Sequence, residues 1–348
     1  MSSVGPGSAT NASAAIAFGH APDLSGKSIL VTGGTGSFGT AFVKRLLTEH
    51  NPKRVVVFSR DEQKHYQMQV EMNDPRLRFF VGDIRDRDRL RRALTGVQIV
   101  VHAAAMKHVP LAEYNPTEAV NTNILGAMNL VDAALDRGVE RVVALSTDKA
   151  ASPVNLYGAT KLCMEKLLVA ANAYSGAGGT IFDVVRYGNV VGSKGSVVPL
   201  FQRQRLNGEL TVTDPQMTRF WIGMDRAVDL VLLALKHGVG GAVFVPRIPA
   251  STMSVLAEAL APGVPVKVIG IRPGEKRHEA LITADEAHNV VAYDDVYVIQ
   301  PSFAWGGARL PAGGLAMEPG FSFSSDIAEQ LDVAAARALL QRLGFDAG

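Results

Sequence analysis

Residues 29–47 read ILVTGGTGSFGTAFVKRLL. An apolar run gives way to glycines at 33, 36 and 39, and those to a stretch of helical period. Strand, glycine turn and helix in that order leave the first helix amides at a strand end, where they can face a pyrophosphate. The spacing is looser than G-x-G-x-x-G, but glycine serves the same purpose: the turn is tight and the backbone must approach the anion closely. An ordinary glycine turn is the other reading, and the flanking strand and helix favour phosphate binding.

The same rhythm continues along the chain. Runs rich in Val and Ile at 28–32, 54–59, 77–82, 99–104, 141–146, 182–188 and 242–245 alternate with amphipathic stretches. This alternation predicts an α/β fold: a doubly wound, parallel, Rossmann-type sheet with its crevice at the carboxyl ends of the strands. After Gly192 the pattern breaks into short mixed elements, which predict a smaller C-terminal substrate lobe over the crevice. The expected division is a flexible extension over 1–24, a dinucleotide domain over 25–192 completed by 224–247, and a lobe over 193–223 and 248–348. Gly/Pro-rich WGGARLPAGGLAMEPG reads as an irregular loop, and DVAAARALLQRLG as a closing helix with Gly344 past its end.

Composition narrows the class. With 348 residues, 47% hydrophobic and 20% charged, the chain can bury a large core. A net charge of +2 without a dense Lys/Arg stripe speaks against nucleic acid. The single cysteine, Cys163, rules out an internal disulfide and suits a reducing cytoplasm. No apolar stretch has membrane-span length, and the small, polar start lacks the features of a signal peptide. Neither a membrane partner nor a metal is expected.

The second run ends FSRDEQK. An acid at this tip would grip the ribose 2′-hydroxyl of NAD. Ser59 and Arg60, with Lys64 a turn later, suit a 2′-phosphate instead, so NADP is the expected cofactor; a solvated helix start is the alternative. In GDIRD, Asp83 is placed at the adenine amine, with a helix N-cap role open for it or for Asp86. Ala103–Ala105 leave room for a nicotinamide ribose, and Lys107 and His108 follow at the site mouth, His108 as a packing or hydrogen-bonding residue. The cofactor site is expected to comprise Gly33, Thr35, Gly36, Ser37, Phe38, Gly39, Ser59, Arg60, Lys64, Asp83, Ile84, Ala103 and Val190, with Tyr157 and Lys161.

The chemistry concentrates in STDKAASPVNLYGATK, residues 146–161. Tyr157 can take a proton from a substrate hydroxyl, Lys161 lies one helical turn on, and Thr147 can bond the same hydroxyl. Those three suffice to oxidise an alcohol. Asp148 and Lys149 are additional. Once a sugar C4 hydroxyl becomes a ketone, the C5 hydrogen is acidic; a base can remove it while an acid protonates the departing C6 hydroxyl. Asp148 and Lys149 can fill those two roles, or form a surface ion pair. For Lys149 to act as a base, burial and the nearby positive charges of Lys161 and oxidised nicotinamide must lower its pKa, and desolvation must keep Asp148 protonated.

These motifs carry a resemblance. The chain is similar to the extended short-chain dehydrogenase/reductases, and more narrowly to the inverting, NADP-dependent UDP-N-acetylglucosamine 4,6-dehydratases that begin pseudaminic acid biosynthesis. TGGTGSFG, FSRDEQK, AAAMKHVPLAEYNP, ALSTDKAASPVNLYGATKL, VVRYGNVVGSKGSVVP, MTRFWI, IRPGEKRHE and YDDVYVI carry it, from about Ser28 to Ile299. The resemblance implies that Asp148 is the acid for the leaving hydroxyl and Lys149 the base at C5. It further implies that Tyr157 begins C4 oxidation and Lys161 holds the nicotinamide ribose. It also implies a product of L-arabino configuration, a UDP-N-acetylhexosamine substrate and a homo-oligomer, dimer or hexamer.

On the substrate side, Asn189 stands where this superfamily contacts the sugar nucleotide. GSKGSVVP then opens a helix whose free amides can meet a diphosphate, giving Lys194, Gly195, Ser196, Val197 and Val198 as contacts beside Lys107 and Lys149. Arg219 and Arg272 are diphosphate-clamp candidates, each with a salt link to an acid such as Glu275 as the alternative; Thr213 and Met217 are placed at the uridine. Phe220 and Trp221 read as core. Rival readings are a retaining 4,6-dehydratase, a 4-epimerase, or a non-catalytic NADP-sensing scaffold.

Overall fold

The computed structural model describes residues 16–19, 21–176, 178–193, 195–302 and 309–346. Six strands start the main sheet: β1 (Ser28–Thr32), β2 (Arg54–Ser59), β3 (Leu77–Val81), β4 (Ile99–His102), β5 (Arg141–Thr147) and β6 (Ile181–Tyr187). Their residues are apolar on both faces because helices cover both sides, as a parallel sheet requires. The order is β3-β2-β1-β4-β5-β6, followed by Val243–Pro246, with all seven parallel. Strand order reverses between β1 and β4, which opens a crevice at their carboxyl ends.

The sheet then continues beyond the expected seven strands. Val296–Ile299 pairs antiparallel with Val243–Pro246, Val290–Ala292 adds to it, and Leu315–Ala316 forms the edge of a ten-stranded sheet. Part of the 248–348 segment therefore builds the main sheet and not the lobe. Four buried residues, Val296 to Ile299, drive this return by completing the core beside Phe244.

The lobe has its own core, with Val198, Phe201, Leu210, Met217, Trp221, Leu256 and Leu340 among its residues. Phe220 is buried in the main core, while the Trp221 indole donates to Ser251 Oγ at 2.8 Å. Helix Val333–Arg342 closes the chain; Asp332 caps it by accepting from the Ala335 amide at 2.7 Å, and Gly344 follows at φ 80°.

At the other end, residues 16–24 are not a loose extension. Ile16 and Leu24 are fully buried in the main core. The Phe18 amide donates to Asp295 Oδ2 at 3.0 Å, and the Arg226 guanidinium lies 3.7 Å over the Phe18 ring. Three large apolar side chains among small polar ones were enough to dock the segment. The rest of the extension, residues 1–15, and 303–308 of the Gly/Pro-rich loop lie outside the described residues. Among the described residues, no helix is long and apolar enough to cross a membrane.

Candidate active site

A cleft of about 510 Å3 opens at the carboxyl ends of β1, β2, β4, β5 and β6. Gly33, Thr35, Gly36, Ser37, Phe38 and Gly39 form one wall. Gly33 has φ 65°, and a Cβ there would stand 2.8 Å from the Ala104 nitrogen, so only glycine lets the first loop lie against the end of β4. Helix Ser37–Glu49 begins at Gly36, whose position carries no side-chain cap, and its leading amides remain available for an anion. A cradle that a Cβ would fill, ending at an uncapped helix start, fits a dinucleotide pyrophosphate.

Ser59, Arg60 and Lys64 line the next part of the cleft, with Ile84, Ala103 and Lys107. Ser59 Oγ is bonded to Thr35 Oγ1 at 2.8 Å and to His65 Nε2 at 2.9 Å. The tip is not free of acid. Asp61 also lines the cleft, but its carboxylate caps helix Glu62–Met72 and holds Lys64 Nζ at 2.7 Å. Asp83 is absent from the lining: it accepts from the Arg85 amide at 2.9 Å and guanidinium at 2.7 Å, while the N-cap role falls to Asp86. His108 is the N-cap residue of helix Val109–Tyr114.

On the opposite wall, Thr147 ends β5 and Asp148 and Lys149 follow it into the cleft. Tyr157 and Lys161 project from helix Leu156–Ala171, which Asn155 caps by accepting from the Gly158 amide at 2.8 Å. Thr147 Oγ1 donates to Asp148 Oδ1 at 3.1 Å. The five residues thus share one wall. Asp148 is 1% exposed and its Oδ2 has no hydrogen-bond partner, an arrangement that favours a ligand donor at that atom.

Charge states depart from those the sequence suggests. Lys149 Nζ lies 3.1 Å from Asp148 Oδ1 and 3.1 Å from Glu279 Oε1. Burial pulls the amine down, but the two carboxylates outweigh it and hold Lys149 above the usual lysine range. Burial pushes Asp148 up, and the Lys149 ammonium, charge and hydrogen bond together, holds it below the usual carboxylate range. The expected neutral lysine and protonated acid are therefore reversed in this state: the pair is ionised. Lys161 does have a lowered pKa, about 8, because burial outweighs the Glu165 charge; its Nζ lies 3.1 Å from Met164 Sδ. Burial lifts Tyr157 to about 12 against the Lys149 charge and the Thr147 hydrogen bond. Buried His102, bonded to Thr32 Oγ1 at 2.7 Å, falls to about 3 through burial and the Lys161 charge.

The substrate side is more divided. Asn189, Val190, Ser193 and Ser196 line the cleft, and helix Val197–Leu206 starts at Ser196 without a side-chain cap. Gly195 precedes it at φ 80°. Val198 is buried in the lobe core with Val197 packed on it, so neither side chain faces the cleft. Thr213 donates to Met217 Sδ at 3.4 Å, and Met217 is core. Lys194 lies outside the described residues.

Neither arginine lines the cleft. The Arg219 guanidinium donates to the carbonyls of Thr218 at 2.7 Å, Lys276 at 3.0 Å and Arg277 at 3.2 Å. Arg272 is exposed, 4.0 Å from Glu275 Oε1. The Arg219 fork is thus occupied by backbone carbonyls, while the Arg272 guanidinium is solvent-exposed. Sequence reading missed Glu279, which is 2% exposed and 130 residues from Lys149. Its only signal was its place in IRPGEKRHE, where the arginine drew the attention.

Comparison with known proteins agrees with this geometry. A family model described as "Polysaccharide biosynthesis protein" matches residues 29–301. The UDP-N-acetylglucosamine 4,6-dehydratase (inverting) of Campylobacter jejuni is 49% identical over 309 residues, 86% of this chain and 92% of that protein. The UDP-glucose 4-epimerase of Rickettsia rickettsii is 44% identical over 281 residues, 78% of this chain and 82% of that one. DesIV, a dTDP-glucose 4,6-dehydratase from Streptomyces venezuelae solved with NAD and TYD bound, is similar at a TM-score of 0.65 and 28% identity, covering 72% of this chain and 86% of that one. These likenesses support a nicotinamide cofactor in the glycine-lined half of the cleft. The chain belongs to the polysaccharide biosynthesis protein family and is an enzyme of the extended short-chain dehydrogenase/reductase type.

Proposed function

We propose that this protein is a lyase that uses NADP to dehydrate UDP-N-acetylglucosamine across C4–C6 with inversion at C5. The product is UDP-2-acetamido-2,6-dideoxy-β-L-arabino-hex-4-ulose, which would open a pseudaminic-acid-type pathway. The observation that carries the reading is the buried Asp148–Lys149 pair directly beside Thr147 and Tyr157. An alcohol dehydrogenase or 4-epimerase has no use for that pair.

Bound NADP would accept hydride from C4 and return it to C6, so the cofactor is regenerated each turnover. Gly33, Gly36 and the amides of helix Ser37–Glu49 would hold its pyrophosphate; Ser59, Arg60 and Lys64 its 2′-phosphate; Tyr157 and Lys161 its nicotinamide ribose. Tyr157, helped by Thr147, takes the C4 hydroxyl proton. Its raised pKa means that positive charge is needed for this step; the Lys149 ammonium already acts on it, and Lys161 on the same helix is assigned to add to it. Elimination then needs Lys149 neutral and Asp148 protonated. One proton transfer from Nζ to Oδ1, 3.1 Å apart, converts the resting ion pair into that state. A sugar covering the pair would favour the transfer, because desolvation disfavours separated charges. Lys149 removes the C5 proton, Asp148 protonates the C6 oxygen, and water leaves.

Asn189, Ser193 and Ser196 are assigned to the sugar nucleotide, with the leading amides of the uncapped helix at Ser196 facing its diphosphate. Exposed Leu111, Tyr114, Leu125 and Met128 on the segments around Val109–Tyr114 and Asn121–Arg137 support a homo-oligomer. One cysteine suits a cytoplasmic location.

The test is incubation with NADP+ and UDP-N-acetylglucosamine in heavy water, followed by NMR. The expected product is a 4-keto-6-deoxy sugar of L-arabino configuration deuterated at C5, without net NADPH. A D-xylo product would give the retaining reaction, a C4 epimer the epimerase, and binding without turnover the sensor. NAD+ alone supporting full turnover would remove the NADP assignment.

A further inference from the structure

The segment 272–279 crosses the entrance to the catalytic loop and ties it down at several points. Asn155 Nδ2 donates to the Gly274 carbonyl at 2.8 Å, and Lys276 Nζ to the Ala151 carbonyl at 2.6 Å. Arg219 holds the segment from below through the carbonyls of Lys276 and Arg277. Its last residue is Glu279, whose backbone is fixed by reciprocal bonds: its amide donates to Ser325 Oγ at 2.9 Å, and the Ser325 amide donates to its carbonyl at 2.8 Å. So rigid a mounting places one carboxylate, 2% exposed, 3.1 Å from the Lys149 amine.

Burying an ionised carboxylate costs several kcal/mol before its partner is counted. A purely structural bond to Lys149 or Lys276 could be made by an amide at lower cost. Lys276 already has the Ala151 carbonyl, and its Nζ is 3.5 Å from Glu279 Oε2, which accepts no hydrogen bond. The charge at Glu279 therefore acts mainly on Lys149. The groups facing that amine are Asp148 beside it, Glu279 from the crossing segment, Arg219 from strand Thr218–Ile222, and Tyr157 from its helix.

We propose that Glu279 is a positioning residue for the dehydration step, one that holds the Lys149 amine in place and stabilises the ammonium formed as it takes the C5 proton. This rests on the dehydratase reading above. As the C5–H bond breaks, its proton goes to Lys149 Nζ and the electron pair is taken up by the C4 ketone as an enolate. As the enolate returns that pair to form the C5–C6 double bond, the C6–O bond breaks and the Asp148 proton leaves with that oxygen as water. Afterwards Asp148 and Glu279 are both anionic with an ammonium between them, which is the charge arrangement the structure shows. Oxidation at C4 moves no proton to or from either carboxylate.

Glu279→Gln removes the charge and keeps the shape. Followed in single turnovers with NADP+ and UDP-N-acetylglucosamine, it should reduce the cofactor at about the wild-type rate while elimination falls roughly 10- to 100-fold, so that reduced cofactor accumulates. The pH above which elimination reaches its plateau should move down, because the ammonium has lost one of its two anions. Glu279→Asp should restore part of the rate. Elimination at the wild-type rate with an unmoved pH profile would overturn the proposal, as would an equal loss in both steps, which marks a structural role. Should Glu279→Gln not fold, Glu279→Asp decides alone: the proposal requires a lower ratio of elimination to oxidation, and an unchanged ratio overturns it. If wild type yields no 4-keto-6-deoxy product, the dehydratase reading fails by itself. The lysine then remains open to nitrogen-15 NMR, in which Lys149 should deprotonate at lower pH in Glu279→Gln, and an unmoved titration would overturn its coupling to Glu279.

Discussion

Gly158→Ala tests whether the start of the tyrosine helix is placed by its contact with the catalytic loop. A Cβ at 158 would overlap the Lys149 carbonyl oxygen, stand 2.9 Å from the carbonyl carbon, and lie 3.1 Å from Pro153 Cβ. Carbon atoms in ordinary contact are about 3.5–4.0 Å apart. The oxygen overlap demands the larger shift, so helix and loop must separate by roughly 1 Å or more. Overpacking of this kind costs about 1–3 kcal/mol, set against the gain of about 1 kcal/mol that alanine has over glycine inside a helix. The displaced group is Tyr157, one residue before the new methyl, and a reacting group misplaced by about 1 Å loses on the order of 10²-fold in rate. Steady-state turnover should fall by that factor. Calorimetric NADP binding should stay near wild type, because the phosphate cradle of Gly33 and Gly36 lies across the cleft. The melting temperature should fall or hold level. A variant with wild-type turnover and a raised melting temperature would show that the helix is positioned by something other than this contact.

Three further outcomes follow from the buried charges and the tyrosine. Burial lifts Asp183 to about 7 although it accepts amides from Ala242 at 3.0 Å and Gly240 at 3.1 Å. Between the ordinary value of 3.8 and about pH 7 the native state holds a proton that the unfolded chain has released, so stability falls as pH rises. The full difference is about 4 kcal/mol above that window. Urea midpoints at pH 5 and pH 8 should therefore differ less in Asp183→Asn than in wild type, and equal slopes would refute the burial argument. Arg186→Met strands Glu165 and Glu286, which the guanidinium meets at 2.6 and 3.0 Å, and should cost about 3–5 kcal/mol in chemical denaturation. Tyr157→Phe should slow cofactor reduction by about 10²–10⁴-fold in a stopped-flow assay, with NADP binding retained.

The legible part of the fold was the part in which each element declares itself. Apart from the edge strand Leu77–Val81, the parallel strands are apolar runs rich in Val because both faces are covered, and each could be read without its neighbours. The antiparallel strands Val290–Ala292, Val296–Ile299 and Leu315–Ala316 are two to four residues long and are strands only because Val243–Pro246 offers an open edge. Pairing across some fifty residues leaves no periodic trace in so short a piece. Ile16, Phe18 and Leu24 were obscured in the same way, by a small-residue background that resembles a linker. That Thr147, Asp148, Lys149, Tyr157 and Lys161 share one wall was readable because they fall within fifteen residues on a strand end, the turn after it and one helix. Arg219 and Arg272 were not, since a guanidinium serves a backbone carbonyl or a carboxylate as well as a phosphate, and residue type does not separate these uses.

The reversed charges of Asp148 and Lys149 show where local reasoning about a site stops. Each expectation was sound for its own surroundings: burial does raise a carboxyl and lower an amine, and both pressures act here. What decides the sign is the pairing: Asp148 first and then Glu279 hold the amine charged, the Lys149 ammonium holds Asp148 ionised, and Glu279 is brought 3.1 Å from the amine by a segment that also holds Asn155 and Ala151. If the protein dehydrates its substrate as proposed, Thr147, Tyr157 and Lys161 would serve the oxidation, and expelling water would require a proton to be stored and moved among groups that solvent would otherwise buffer. Asp148 and Glu279 around the Lys149 amine would keep that proton inside the site. A relative with the same catalytic loop but no acid at the end of this segment would be expected to oxidise at a similar rate and to eliminate water roughly 10- to 100-fold more slowly, so that reduced cofactor accumulates.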